Sequence, residues 1–293
     1  VEVSTPYLET DLFTLKFAQS ADTLYIVGAN YAPRKLTRTS HTSWTLTTID
    51  FVDGPYMDEN TDTTLTLTVS SNAVGTGRTM TASGSLTFHS GMVGALWRIK
   101  GNTTYGYVKV TAYTDSTHVT VDVKTTLDFV TPGTTTTSKW REGAYATNGA
   151  NGKAVGFPVA VGFYEQRLVF GATAYQPQTF WGSMSASYEN FTPGVSASDP
   201  YTYTFGANQV NVIRWIQPSR VMLIGTVGGE WSISGGTTGI TPSNIIVKDE
   251  TRYGSNTVQA LRIRDAVIFV QRNNLKVRHA KYDGSADSYT SED

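Results

Sequence analysis

The sequence predicts an all-β fold: a β-propeller, which this segment need not complete, carrying a small inserted β-sandwich or barrel domain. Three observations predict it. Charged residues are only 16% of the 293 residues, and Thr, Ser, Gly and Tyr take their place; Thr and Tyr favour strands and Gly supplies turns. No long stretch repeats apolar residues at i, i+3, i+4 and i+7, so the helical period is missing. And one hairpin phrase recurs four times along the chain.

The copies are ADTLYIVGANYAPRKLTRTS (Ala21–Ser40), EQRLVFGATAYQPQTFWGS (Glu165–Ser183), PSRVMLIGTVGGEWSISGG (Pro218–Gly236) and RDAVIFVQRNNLKVRHAKY (Arg264–Tyr282). Each opens on a polar pair, runs through four or five residues rich in Val, Ile, Leu and Phe, turns, and closes on an alternating strand. The turns read NYAP, AYQP, VGGE and QRNN: different turn chemistry serves one strand pattern. With the register anchored on Gly28, Gly171, Gly225 and Gln271, the last two intervals are 54 and 46 residues. That is the scale of one four-stranded propeller blade, about 40–50 residues. The first interval becomes one blade when roughly 100 residues are removed, on the same blade scale.

Those residues have their own character. After FVDGPYMDEN (Phe51–Asn60) come TDTTLTLTVSS, GRTMTASGSLTFHSGMVGALWRIKG, GYVKVTAYTDSTHVTVDVK and TTTTSKWREGAY. They read as short strands punctuated by GTG, TDST and TPGT turns. The expected organisation is residues 1–54 as the first part of the propeller, 55–154 as the inserted β domain and 155–293 as the second part of the propeller. Insertion in a loop between blades is reasonable because the ends of a compact domain often lie close together.

Composition narrows the function classes. Net charge is −1, with no clustered Lys and Arg of the kind that grips nucleic acid. There is no Cys, hence no disulfide and no thiolate metal site. No apolar run reaches the roughly 18 residues of a membrane-spanning helix. The N-terminal VEVSTPYLETDL lacks the basic and apolar regions of a signal peptide. A start at Val1 without Met and an end at DSYTSED read as a segment of a longer protein.

The sequence nominates no catalytic, cofactor-binding or metal-binding residue, and no cofactor. Asp58, Asn60 and Asp62 occupy positions 1, 3 and 5 of a calcium loop, but Thr63 and Val69 stand where it needs Gly and Glu. His41, His89, His118 and His279 show no metal-ligand spacing. GxSxG, P-loop and Rossmann patterns are missing. Glu165 and Glu230 flank apolar strands and are candidates to face a channel or pocket; a glycosidase pair would need a fixed separation. Arg34, Lys35, Arg38, Arg272, Lys276 and Arg278 lie at equivalent hairpins, where they could share a face or be ordinary strand-end charges. Six Trp and 16 Tyr suit sugar stacking, buried sheet faces or subunit contacts alike. Asn102 (NTT) and Asn190 (NFT) match glycosylation acceptors, which matter only in a eukaryotic secreted protein.

An ordered series of motifs spans almost the whole chain: TPYLETDLFTLKFAQSADTLYIVGANYAPRKLTR, FVDGPYMDEN, WREGAY, GFPVAVGFYEQRLVFGATAYQPQTFWGSMSASYENF, NVIRWI, LIGTVGGEW, YGSN and VIFVQRNNLKVRHAKYDGSADSY. In that order they resemble a family of bacteriophage tail proteins, the tubular or nozzle proteins of short-tailed phages and the related head-to-tail stabilisation proteins. The resemblance implies a β-propeller with inserted β domains, in chains longer at both ends. It implies a structural virion protein without enzymatic activity, made in the bacterial host cytoplasm and built into the tail. Its partners would be other copies of itself in a ring, commonly a hexamer, a neighbouring tail adaptor or portal-proximal protein, and phage DNA passing through the channel without specific binding. A near-neutral chain suits such a conduit, since each neutralised phosphate adds salt-sensitive affinity. The alternatives are a tail-tip glycan or receptor binder and a glycan-cleaving propeller enzyme. Against the enzyme, SHTSW (Ser40–Trp44) lacks the Asp and Gly of the repeated turn S-x-D-x-G-x-x-W found in sialidase-like propellers.

Overall fold

A computed structural model of the chain describes residues 2–206 and 211–292. The fold is all-β and propeller-like, with several sheets, one of them curled. The chain divides into two compact units, Val1–Asp50 with Phe157–Asp293, and Phe51–Gly156.

The first unit begins with a four-stranded antiparallel sheet: β1 (Lys16–Ser20), β2 (Thr23–Gly28), β3 (Tyr31–Ser40) and β4 (Ser43–Thr48), paired in sequence order. The polar pair that opens the hairpin phrase is the two-residue turn between β1 and β2, where Ala21 has φ 49°. Such tight loops between right-twisted strands need positive φ. The turn after β2 falls on Ala29–Asn30, so Tyr31–Pro33, which the sequence suggests as turn, belongs to β3. Pro33 is tolerated there because the β2–β3 register shifts between Ile26 and Gly28, and a bulge spares the missing N–H.

The second unit carries β5 (Thr66–Val69), β6 (Gly75–Ser83), β7 (Leu96–Lys100), β8 (Tyr105–Tyr113), β9 (His118–Val123) and β10 (Trp140–Glu142). They form one sheet in the order β10-β7-β8-β9-β6-β5. Burial in β9 alternates strictly, with Val119, Val121 and Val123 inward and His118, Thr120 and Asp122 outward. The inward side chains meet Leu67, Met80, Phe88, Trp97 and Phe129 in one core. Leu67 on the β5 edge exchanges both backbone hydrogen bonds with Thr137, just before the β10 edge, each at 2.9 Å. That exchange draws the two edges of the sheet together and curls it into a half-barrel, which hides edges that would otherwise invite pairing.

The first unit resumes with three more four-stranded antiparallel sheets. They are β11 (Ala160–Tyr164), β12 (Arg167–Gly171), β13 (Thr179–Gly182) and β14 (Tyr201–Thr204); β15 (Ile213–Pro218), β16 (Met222–Thr226), β17 (Glu230–Ser234) and β18 (Ile246–Thr251); and β19 (Leu261–Ile263), β20 (Ala266–Val270), β21 (Val277–Asp283) and β22 (Ser288–Glu292). Each copy of the phrase is the second and third strand of one sheet. Glu165 and Gln166, at φ 46° and 58°, and Arg264, at φ 58°, repeat the positive-φ turn between first and second strands.

The first strands lie side by side through this unit: β1 beside β11, β11 beside β15, β15 beside β19. The side-chain amide of Gln259 links the fourth sheet to the first, accepting from the Phe17 N–H at 3.0 Å and donating to the Phe17 carbonyl at 2.7 Å. It satisfies backbone groups on the free edge of β1 as a paired strand would. The glycines that anchor the phrase have a packing reason. A Cβ at Gly171 would stand 3.0 Å from Ile216, and one at Gly225 would overlap the ring of Trp215, its cross-strand partner. The bare backbone at that point lets the inner strand of the next sheet, or a tryptophan, approach closely.

Candidate functional site

The residues that sequence alone singles out are dispersed, and most are engaged internally. In the half-barrel, Asn60 donates its amide to the Asp62 and Ser138 carbonyls, and Asp62 accepts from the Thr64 N–H and hydroxyl. Asp58 lies beside them in a pocket of about 370 Å³ with Trp140, Glu142 and Lys153. Among the described residues no three His, Cys, Asp or Glu side chains gather as metal ligands. His118 sits 3.0 Å from Asp115; His41 and His89 are exposed, and His279 is half-buried on β21. Asn102 is exposed in the β7–β8 loop, its N–H donating to Asp128. Asn190 is half-buried and accepts from the Thr192 N–H at 2.9 Å.

The basic residues do not form one face. Arg34 and Lys35 are successive on β3, so they point to opposite sides. Lys35 donates to both oxygens of Glu189 at 2.6 and 2.9 Å, and the Tyr25 hydroxyl donates to the same carboxylate at 3.3 Å. With Tyr25 against Phe163 and Phe163 against Tyr188, this seam ties the first sheet to the second. Arg38 pairs with Asp22 at 2.7 Å. Arg278 is buried, donates to Gln271 at 2.9 Å and lies 3.6 Å over the Tyr253 ring. Arg272 and Lys276 are in the β20–β21 loop.

Neither carboxylate considered for a channel or pocket is free. Glu165 accepts from the Ile240 N–H at 2.7 Å. Glu230 is 1% exposed and accepts from the hydroxyls of Thr251 and Ser255. Burial pushes its carboxyl above the usual range, and those hydrogen bonds oppose the shift. In the half-barrel Glu142 behaves alike: burial raises it, while Lys153 at 3.1 Å and the Ala150 N–H at 2.6 Å oppose. Arg167, at the head of β12, is a further buried charge; its guanidinium donates to the carbonyls of Ser183, Ala197, Ser198 and Asp199 at 2.6–3.0 Å. These four bonds fix the connection between β13 and β14. An arginine opening an otherwise apolar strand is the signal for it in the sequence.

Among the described residues of the first unit, two concavities bear on function. One is a cleft of about 430 Å³ on the first sheet, lined by Gln19, Asp22, Arg38 and Trp44. Trp44 is 39% exposed there, with the Arg38 guanidinium 6.0 Å from its ring. The other, also about 430 Å³, opens where the first strands begin, with Lys16, Arg214, Asp11 and Thr257 on an apolar wall that includes Val159 and Val212. Sequence reasoning misses this second cavity, because its two cations come from different sheets and neither stands out in its own strand.

No family model matches the chain, and no curated protein matches it. Among solved structures, the phage phi92 endosialidase aligns at a TM-score of 0.27 and 10% identity, over 97% of this chain and 44% of that one. A likeness at that level is too weak to carry a fold or a function across.

Proposed function

We propose that this chain is a structural component of a bacteriophage tail, a nozzle, tubular or adaptor part that rings the channel through which DNA leaves the virion. The observation that carries the reading is the ordered motif series, which resembles the tail tubular and nozzle family along nearly the whole sequence. The architecture agrees with it: four repeated sheets, interrupted once by a β unit of 106 residues, Phe51–Gly156. The reading is non-enzymatic. Glu142, Glu165 and Glu230 each hold internal donors, so their carboxylates serve the fold.

A second reading, a tail-tip glycan or receptor binder, is favoured by the Trp44 cleft. An exposed indole flanked by Arg38, Asp22 and Gln19 offers an apolar face for a sugar ring and polar groups for its hydroxyls. The two roles are compatible in a nozzle that touches the cell surface. A cryo-EM map of the particle that encodes this chain tests both. Copies ringed around the axial channel support the nozzle; copies on outward appendages, with glycan-array binding lost in Trp44→Ala, support the receptor binder. A tail without the chain overturns both.

A further inference from the structure

The cavity at the start of the first strands brings two cations, Lys16 and Arg214, together beside an apolar wall. Lys16 is 4% exposed, yet among the described residues its ammonium has neither an ion-pair nor a hydrogen-bond partner, and the same is true of the Arg214 guanidinium. Burial and the positive charge of Arg214, in that order, lower the lysine pKa. Arg214 is half-buried, and both cations open onto the cavity; two like charges beside an apolar wall favour an anion that joins them. Asp11 lines the same cavity, but one of its oxygens accepts from the Tyr31 hydroxyl at 2.7 Å and it stands beyond ion-pair reach of both cations.

We propose that this cavity binds a small oxyanion, a carboxylate or phosphate monoester on a compact apolar body. Lys16 and Arg214 would hold the anionic group, the arginine through the planar fork that matches carboxylate and phosphate oxygens. Val159, Ala172, Pro177 and Val212 would cover the apolar part. The volume, about 430 Å³, falls in the range of small-molecule sites and exceeds what a bare phosphate fills. The apolar wall lowers the local dielectric, which strengthens each charge-assisted bond. The inference is independent of the tail reading, since it uses only the charges and walls of this cavity.

The test titrates the full chain with phenyl phosphate, benzoate and inorganic phosphate against chloride at matched ionic strength, following calorimetry and Tm. Saturable binding of phenyl phosphate or benzoate, with a rise in Tm that chloride does not give, is expected; which of the two binds tighter assigns the anionic group. Lys16→Met and Arg214→Gln should each weaken binding at least tenfold. Lys16→Met should itself raise Tm without anion, because it removes the repulsion from Arg214 and keeps an apolar side chain of similar length against the wall. Should that variant fail to fold, Arg214→Gln carries the test alone. Absence of saturable binding by both organic anions, or equal binding by wild type and Arg214→Gln, overturns the proposal.

Discussion

Two strands of similar apolar sequence meet different fates in this molecule. In β16, MLIGT, every residue is buried; in β9, HVTVDV, every second one is. The difference lies in how many faces of the sheet are covered. The half-barrel wraps a single core and leaves its outer face wet, so its strands alternate. In the propeller-like unit the second and third sheets have neighbours on both faces: β11 lies between β1 and β15, and β15 between β11 and β19. Their strands β12, β13 and β16 are accordingly buried throughout. The first and fourth sheets follow the same rule from the other side. No residue of β4 or β19 is buried. Periodicity in such a chain therefore reports a strand's place in the stack of sheets as well as its own amphipathicity.

The largest effects are expected in the two cores. Phe180 and Trp97 are both 0% exposed, one in each unit. Phe180→Ala and Trp97→Ala should each cost about 3–5 kcal/mol, the usual range for emptying an aromatic core site. Hydrogen exchange on the two variants then distinguishes the units. Trp97→Ala should speed exchange across 51–156, and Phe180→Ala across 2–50 and 157–292. Faster exchange everywhere in both variants would mean that the two units open as one cooperative block.

A smaller effect sharpens the role of close approach. Gly225→Ala places a Cβ against the Trp215 ring and should cost about 1–3 kcal/mol by overpacking. Gly206 has nothing within 4 Å of the same added atom, so Gly206→Ala should stay within about 0.5 kcal/mol, as surface changes do. Urea midpoints for the pair read the difference directly. Equal midpoints would mean that the Trp215 ring swings away freely and that the anchoring glycine marks a turn, with no packing role.

What the sequence shows of this fold is what local chemistry writes. The apolar runs after the pairs Ala21–Asp22, Glu165–Gln166 and Arg264–Asp265 are legible as strands, because that signal lies within a few residues; that the pairs themselves are tight turns is not, since the Gly, Pro and Asn signals point to the later NYAP, AYQP, VGGE and QRNN. The curl of the inserted sheet is partly legible, in the alternation of HVTVDV. The Leu67–Thr137 exchange that draws its edges together is not, since it joins residues far apart in sequence through backbone atoms that carry no side-chain signature. The Gln259 link to Phe17 and the pairing of Lys35 with Glu189 are hidden for the same reason. The cavity is the extreme case. Lys16 follows the buried Leu15 and precedes the exposed Phe17, so apolar alternation assigns it no particular face. Only the placing of β15 brings Arg214 to it.

The smallest effect expected is a matter of sign. Glu230 in the third sheet has its carboxyl raised by burial above its ordinary value of 4.5, whereas Asp115 in the β8–β9 turn is lowered to about 2 by the Thr117 N–H and hydroxyl and by His118. A raised carboxyl binds its proton more tightly in the folded chain. Its contribution therefore falls as pH rises from 4.5 through the folded value, and it is most favourable at low pH. A lowered carboxyl does the reverse: its contribution is present above 3.8, the unfolded value, and is lost as pH falls toward 2. Glu230→Gln should thus flatten the decline of Tm on the alkaline side of 4.5, and Asp115→Asn should flatten its fall below 3.8 while lowering Tm at neutral pH. Were both variants to change the profile in the same direction, burial would not be the dominant influence on Glu230. The hydrogen bonds from Thr251 and Ser255 would then govern it, as the Thr117 bonds govern Asp115, and the contrast between a carboxylate inside a covered sheet and one in a wet turn would reduce to a count of donors.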